Sequence, residues 1–144
     1  MSVLVDSGVF YAHADTDATR HDDAVRAFDV LIDGDEGQPY TSDYLYDETV
    51  TLTLSRTRSF ERAKQVGRRI RGIDGYPDLV TLEHVDRSVF REAVDTFERF
   101  DDQGLSFTDA TTIALLEKRG IDSVLSFDDD FDGIVDRIDP ADLG

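Results

Sequence analysis

The chain contains no cysteine, which excludes disulfides, thiolate metal sites and a cysteine nucleophile. Lysine is almost missing too, with two Lys against thirteen Arg. Glutamate is scarce beside aspartate, seven against twenty-five, so a Glu within an apolar helix carries information that a lone Asp does not. No run approaches the roughly 18 consecutive apolar residues of a membrane span. The N-terminus enters an apolar strand directly, without a charged n-region or cleavage site, so no export signal is expected and a cytoplasmic location is. No repeat, low-complexity tract or linker interrupts the 144 residues, a length that suits a single domain over 1–144.

Acidic residues are abundant. Thirty-two acids against 15 bases give a net charge of −17. A dispersed, lysine-poor acidic surface fits a halophilic source, because concentrated salt screens its self-repulsion. One segment runs against the trend. From 56 to 71 there are seven bases (Arg56, Arg58, Arg62, Lys64, Arg68, Arg69, Arg71) and one acid, Glu61. Such an island could bind phosphates, or pair with the acidic surface of this chain or of a partner.

Apolar periodicity alternates between strand and helix. Strands are expected at Ser2–Val5, Pro39–Thr41, Leu79–Val85 and Ser123–Phe127, with a last one at Val135–Ile138. Helical stripes lie between them: a short one over Val9–Ala14, then Ala24, Val25, Phe28, Leu31 and Ile32. The next helix runs from Ser42 or Asp43 to Thr57, with Leu45, Thr49 and Leu52 inward. A basic helix follows with Ala63, Val66, Gly67 and Ile70 inward. Another begins after Asp86 with Val89, Phe90, Ala93, Val94 and Phe97 as its stripe. Alternation of this kind predicts an α/β domain in which helices cover both faces of a parallel sheet.

The most informative stretch is Ser106–Asp132. Ser106 is an N-cap candidate with Asp109 three residues on, in a capping-box pattern. Phe107, Ala110, Ile113, Ala114 and Leu116 form the stripe, Lys118 and Arg119 suit the last turn, and Gly120 stops the helix. The strand that follows runs into Asp128, Asp129, Asp130 and Asp132. A helix start lies near the carboxyl end of a neighbouring parallel strand, the edge where open α/β sheets bind ligands. Asp109 and Asp128 are therefore expected to share a pocket. Asp6, directly after Val3-Leu4-Val5, reaches the same edge, and Glu48, one turn past Tyr44 and Leu45, faces it from a helix. Each acid has an ordinary alternative: Asp6 an N-cap, Glu48 or its neighbour Asp47 a solvated helix residue, Asp109 a capping partner, Asp128 a strand end. Together they form a set of oxygen donors without nearby His or Cys, which suits a hard divalent cation and phosphate chemistry. His13, His21 and His84 have no ligand spacing and read as structural or surface groups.

Four segments carry a resemblance to a known family. Val3-Leu4-Val5-Asp6-Ser7, Tyr44-Leu45-Tyr46-Asp47-Glu48-Thr49, Leu105-Ser106-Phe107-Thr108-Asp109-Ala110 and Leu125-Ser126-Phe127-Asp128-Asp129-Asp130-Phe131 resemble the four motifs of PIN-domain ribonucleases, most closely the VapC-type toxins. The resemblance implies a three-layer α/β/α sandwich with a central parallel sheet. It implies a Mg²⁺ or Mn²⁺ site of Asp6, Glu48, Asp109 and Asp128, supported by Asp130 and the Ser7 hydroxyl. It further implies cleavage of single-stranded RNA, often within structured targets, a homodimer, and silencing by a small cognate antitoxin. The acidic charge departs from what an RNA-binding surface requires. Arg56, Arg58, Arg62, Arg68 and Arg69 therefore become candidate RNA contacts. Two rival readings are a PIN fold that only binds RNA or protein, and a phosphoryl-accepting receiver-like domain. The latter needs a Lys near the last strand, and only Lys118 offers one.

Overall fold

The computed structural model describes residues 1–143. Five strands form one parallel sheet in the order β3-β2-β1-β4-β5: β1 (Ser2–Val5), β2 (Gln38–Ser42), β3 (Thr81–Glu83), β4 (Ser123–Leu125) and β5 (Arg137–Ile138). Six helices connect them: α1 (Ser7–Ala14), α2 (His21–Asp33), α3 (Asp43–Thr57), α4 (Phe60–Arg71), α5 (Arg87–Arg99) and α6 (Phe107–Arg119). β1 lies at the centre, with Val3, Leu4 and Val5 opposite Ser123, Val124 and Leu125 of β4.

Side chains of a strand alternate between faces, so β1 serves two cores. Leu4 joins Val89 and Ala93 of α5 and Ala110, Ile113 and Ala114 of α6. Val3 and Val5 join Val9 and Phe10 of α1 and Ala24, Ala27, Phe28 and Leu31 of α2. The result is the expected three-layer α/β/α sandwich. All three apolar residues of β1 are fully buried, as a strand covered on both faces requires.

Several boundaries differ from the sequence expectation. α1 begins at Ser7, because the Asp6 side chain accepts from the Ser7 backbone N–H and starts the helix two residues early. β3 is confined to Thr81–Glu83, since an edge strand pairs on one side only, here with Tyr40–Ser42. β4 stops at Leu125 and Phe127 leaves the sheet, while β5 pairs only at Arg137–Ile138. The inward stripe of α5 is Val89, Ala93 and Thr96. Phe90 and Phe97 are exposed instead, and both pack against Phe107 at ring separations of 5.6 and 5.9 Å. Ile32 likewise lies outside the core.

Candidate active site

Strands β1, β2 and β3 extend the sheet in one direction and β4 and β5 in the other. The direction of winding therefore reverses between β1 and β4, and a crevice opens at their carboxyl ends. Asp6 leaves β1 there, its N–H still bonded to the Leu125 carbonyl at 3.0 Å. A cavity of about 790 Å³ occupies the crevice, and its walls include Asp6, Ser7, Glu48, Asp109, Ser126 and Asp128.

Each acid arrives by a different local device. Asp6 is both strand end and N-cap of α1, and its second oxygen accepts from the Ser126 hydroxyl at 2.6 Å. The Ser126 oxygen also accepts from the Asp128 N–H at 3.0 Å, so one hydroxyl ties β1 to the loop after β4. Asp128 caps the 3₁₀ turn Asp129–Phe131 by accepting from the Asp130 N–H. Asp109 completes a capping box with Ser106, both bonds at 3.0 Å. Glu48 sits on the second turn of α3 and accepts from the Ser7 hydroxyl, whereas Asp47 is exposed. The ordinary roles of Asp6 as N-cap and Asp109 as capping partner are both present, Asp128 caps a 3₁₀ turn past the end of β4 instead of ending the strand, and all three side chains still line the cavity.

The arrangement is electrostatically costly without a cation. Burial, reinforced by Asp109 and Glu48, pushes the Asp6 carboxyl up to about 7 against two hydrogen bonds that favour its ionised form. Burial likewise raises Asp109 to about 6, with Asp128 and Glu48 adding repulsion. Desolvation and like charge both disfavour ionisation. A donor set made only of oxygens, held by hydroxyl and amide hydrogen bonds and strained by mutual repulsion, fits a hard divalent ion.

Other expected residues are placed less centrally. Asp130 lies exposed beyond the cavity wall, and the nearby Asp128 charge raises its pKa; Asp129 lines the wall in its place. Among the described residues, only Asp128, Asp129 and Asp130 bring three carboxylate oxygens within 4.8 Å of one another. The four cavity acids ring a wider space. Of the basic segment, Arg56 alone lines this cavity. Arg62 borders a neighbouring hollow beside Tyr11 and Asp15. Arg58 ends α3 in the left-handed conformation, and Arg68 pairs with Asp74 at 2.9 Å. Arg69 turns inward, donating to His13 Nδ1 at 2.9 Å and lying over Tyr76. Lys118 sits in the last turn of α6, about 13 Å along the helix from Asp109 at 1.5 Å per residue, which deprives a receiver-like chemistry of its lysine. Arg20, Tyr11, Ser126 and Phe127 line the cavity without having been singled out. Only the position of Ser126 at the end of an apolar strand marked it in the sequence. Nothing local marked Arg20.

A parallel α/β/α sandwich with an acid-lined crevice at its β1/β4 switch point is an open α/β domain whose ligand edge lies at the carboxyl ends of its strands. This chain belongs to the PIN domain family, which matches residues 3–136. It is 36% identical over 91 residues to the 23S rRNA-specific endonuclease VapC20 of Mycobacterium tuberculosis, covering 63% of this chain and 65% of that relative's length. It is 23% identical over 134 residues to a VapC ribonuclease of Archaeoglobus fulgidus, covering 91% of this chain and 80% of the relative. The crystal structure of M. tuberculosis VapC20, titled a sarcin-ricin loop cleaving toxin, superposes with a TM-score of 0.75 at 29% identity over 90% of this chain and 92% of that one. A toxin-antitoxin complex from Klebsiella pneumoniae shares the fold, with a TM-score of 0.65 at 14% identity, over 96% and 97% of the two chains. Among the described residues, no helix is long and apolar enough to cross a membrane.

Proposed function

We propose that the protein is a divalent-metal-dependent endoribonuclease acting as the toxin of a type II toxin–antitoxin pair. The observation that supports this most directly is the convergence of Asp6, Glu48, Asp109 and Asp128 on one cavity at the sheet's switch point. In this reading Asp6, Glu48, Asp109 and Asp128 hold Mg²⁺ or Mn²⁺, with Asp130 as an outer acid. When bound, such an ion neutralises charge on a phosphodiester and lowers the pKa of water to make a nucleophile. The chain's own part is orientation. Ser126 and the Ser7 N–H fix the two oxygens of Asp6, Ser106 fixes Asp109, and the Ser7 hydroxyl fixes Glu48. At neutral pH the raised pKa of Asp6 leaves its carboxyl partly protonated in the metal-free cup, so ion binding must expel that proton. A small antitoxin and a second copy of the chain complete the assembly in the cytoplasm.

RNA is the substrate class. The naming of a relative for 23S rRNA makes that molecule the first to test beside short single-stranded oligonucleotides. The experiment is cleavage by purified protein at molar KCl with Mg²⁺ or Mn²⁺. Cleavage should vanish with EDTA and fall by roughly 100-fold or more in Asp6→Asn and Asp109→Asn, since several kcal/mol of transition-state stabilisation depend on the ion. Full activity in both variants would overturn the reading. Metal and RNA binding with no cleavage of either RNA would favour the non-catalytic module instead.

A further inference from the structure

The acids of the cavity share it with two arginines that the surrounding charge does not claim. Arg20 and Arg56 both line the crevice and both are exposed. Among the described residues five of the 15 Lys and Arg pair with an acid, Lys64 with Glu61 being one. Arg26 pairs with Asp23, Arg68 with Asp74, Arg119 with Glu83 and Asp86, and Arg137 with Asp132 and Asp139. Among the described residues neither Arg20 nor Arg56 makes an ion pair. Each lies over an aromatic ring instead. The guanidinium carbon of Arg20 is 4.8 Å from the Phe127 ring centre, and that of Arg56 is 4.9 Å from that of Tyr11. Phe127 immediately precedes Asp128, and Tyr11 is on the helix that Asp6 caps, so the two stacked pairs border the acidic cup from different elements.

We propose that Arg20 and Arg56 are the backbone grip of the site, each holding a phosphate of the RNA strand as it passes through the cup. This rests on the ribonuclease reading and adds to it the residues that bind substrate. Stacking occupies the face of a guanidinium and leaves its edge N–H groups free, in a fork that matches phosphate oxygens. The aromatic rings also keep the arginines from collapsing onto adjacent carboxylates. At −17 the protein repels RNA at long range, and in concentrated salt steering is screened in any case. Affinity must then come from short-range, charge-assisted contacts at the site itself. Of the arginines of α4, Arg69 turns inward and Arg68 pairs with Asp74, and neither lines the crevice.

The test is fluorescence anisotropy of a labelled single-stranded RNA with Mg²⁺, in an Asp109→Asn background so that the strand survives, over a series of KCl concentrations. Arg20→Ala and Arg56→Ala should each weaken binding roughly 10-fold. Each should also flatten the log–log salt slope by about 0.7, the value for one single-strand phosphate contact. Phe127→Leu, which changes no charge, should weaken binding by releasing Arg20 toward Asp128 and Asp129. Arg68→Ala should leave the affinity unchanged. Unaltered affinity and slope in both Arg20→Ala and Arg56→Ala, or an RNA that does not bind at all, would overturn the grip. Wild-type affinity in Phe127→Leu would overturn the role of the stacking. The ribonuclease reading is judged separately, by cleavage with the wild-type chain: binding that depends on both arginines without any cleavage would keep the grip and remove the enzyme.

Discussion

Asp6 ends β1, caps α1 and faces the cavity, and these duties conflict. As an N-cap it is best ionised, yet burial pushes its carboxyl up to about 7. Its ordinary value is 3.8, so between those limits the folded chain binds more protons than the unfolded one. Stability from this group is therefore fully present below the ordinary value and is lost as pH rises through about 7. Asp109, raised to about 6, acts in the same direction over a narrower range. Thermal melts in EDTA should show wild type losing stability relative to Asp6→Asn as pH climbs from 4 to 7, with no further change above. Saturating Mn²⁺ should reverse the trend, because it binds the ionised form. A pH-independent difference between the two proteins would show that Asp6 is not held in a desolvated cup.

At the level of elements, α1 and α4 meet through an unusual pair. His13 of α1 accepts from Arg69 of α4 and packs 4.3 Å from the Phe28 ring of α2. Burial, aided by the Arg69 charge, pulls its pKa down to about 4 from an ordinary 6.5. The folded state therefore holds His13 neutral, and its contribution is lost as pH falls from 6.5 through about 4. In His13→Phe the acid side of the stability profile should be shallower. The variant should also carry a pH-independent loss of about 1–3 kcal/mol from the Arg69 donor left without its partner. Acid titration followed by circular dichroism reads both effects, and identical slopes would refute the assignment.

This pair also shows where the sequence falls silent. The α4 stripe of Ala63, Val66, Gly67 and Ile70 and the capping box at Ser106 were readable because both depend on spacing within one segment. The inward turn of Arg69 was not, since it depends on a histidine 56 residues away. Phe90 and Phe97 were misplaced for a related reason. Periodicity finds an apolar stripe but not its centre, and α5 buries the Val89 and Ala93 side of a wide one. The acids were legible because Asp6 and Asp109 sit at element ends and Asp128 in the loop after β4, all of which the parallel topology sends to one edge, while Glu48 shares a helix face with Tyr44 and Leu45. Arg20 follows no such rule. It lies in a polar connection and reaches the cavity only through the path of the chain between α1 and α2.

For the molecule as a whole, the charge of −17 and the acidic cup are separate matters. The surface charge is dispersed and is eased by any salt. The cup holds acids that the fold has partly removed from water, and monovalent ions screen such groups weakly. The loop acids Asp128, Asp129 and Asp130 offer a competing cation position, tighter but solvent-exposed. The difference between the two positions is what the functional account depends on. Crystals soaked in Mn²⁺ and measured for anomalous scattering decide between them. The expected result is a peak inside the crevice, roughly 2.0–2.3 Å from oxygens of Asp6 and of Asp109 or Asp128, a range typical of hard-cation–oxygen bonds. A peak confined to the Asp128–Asp130 loop, or none at millimolar Mn²⁺, would contradict it.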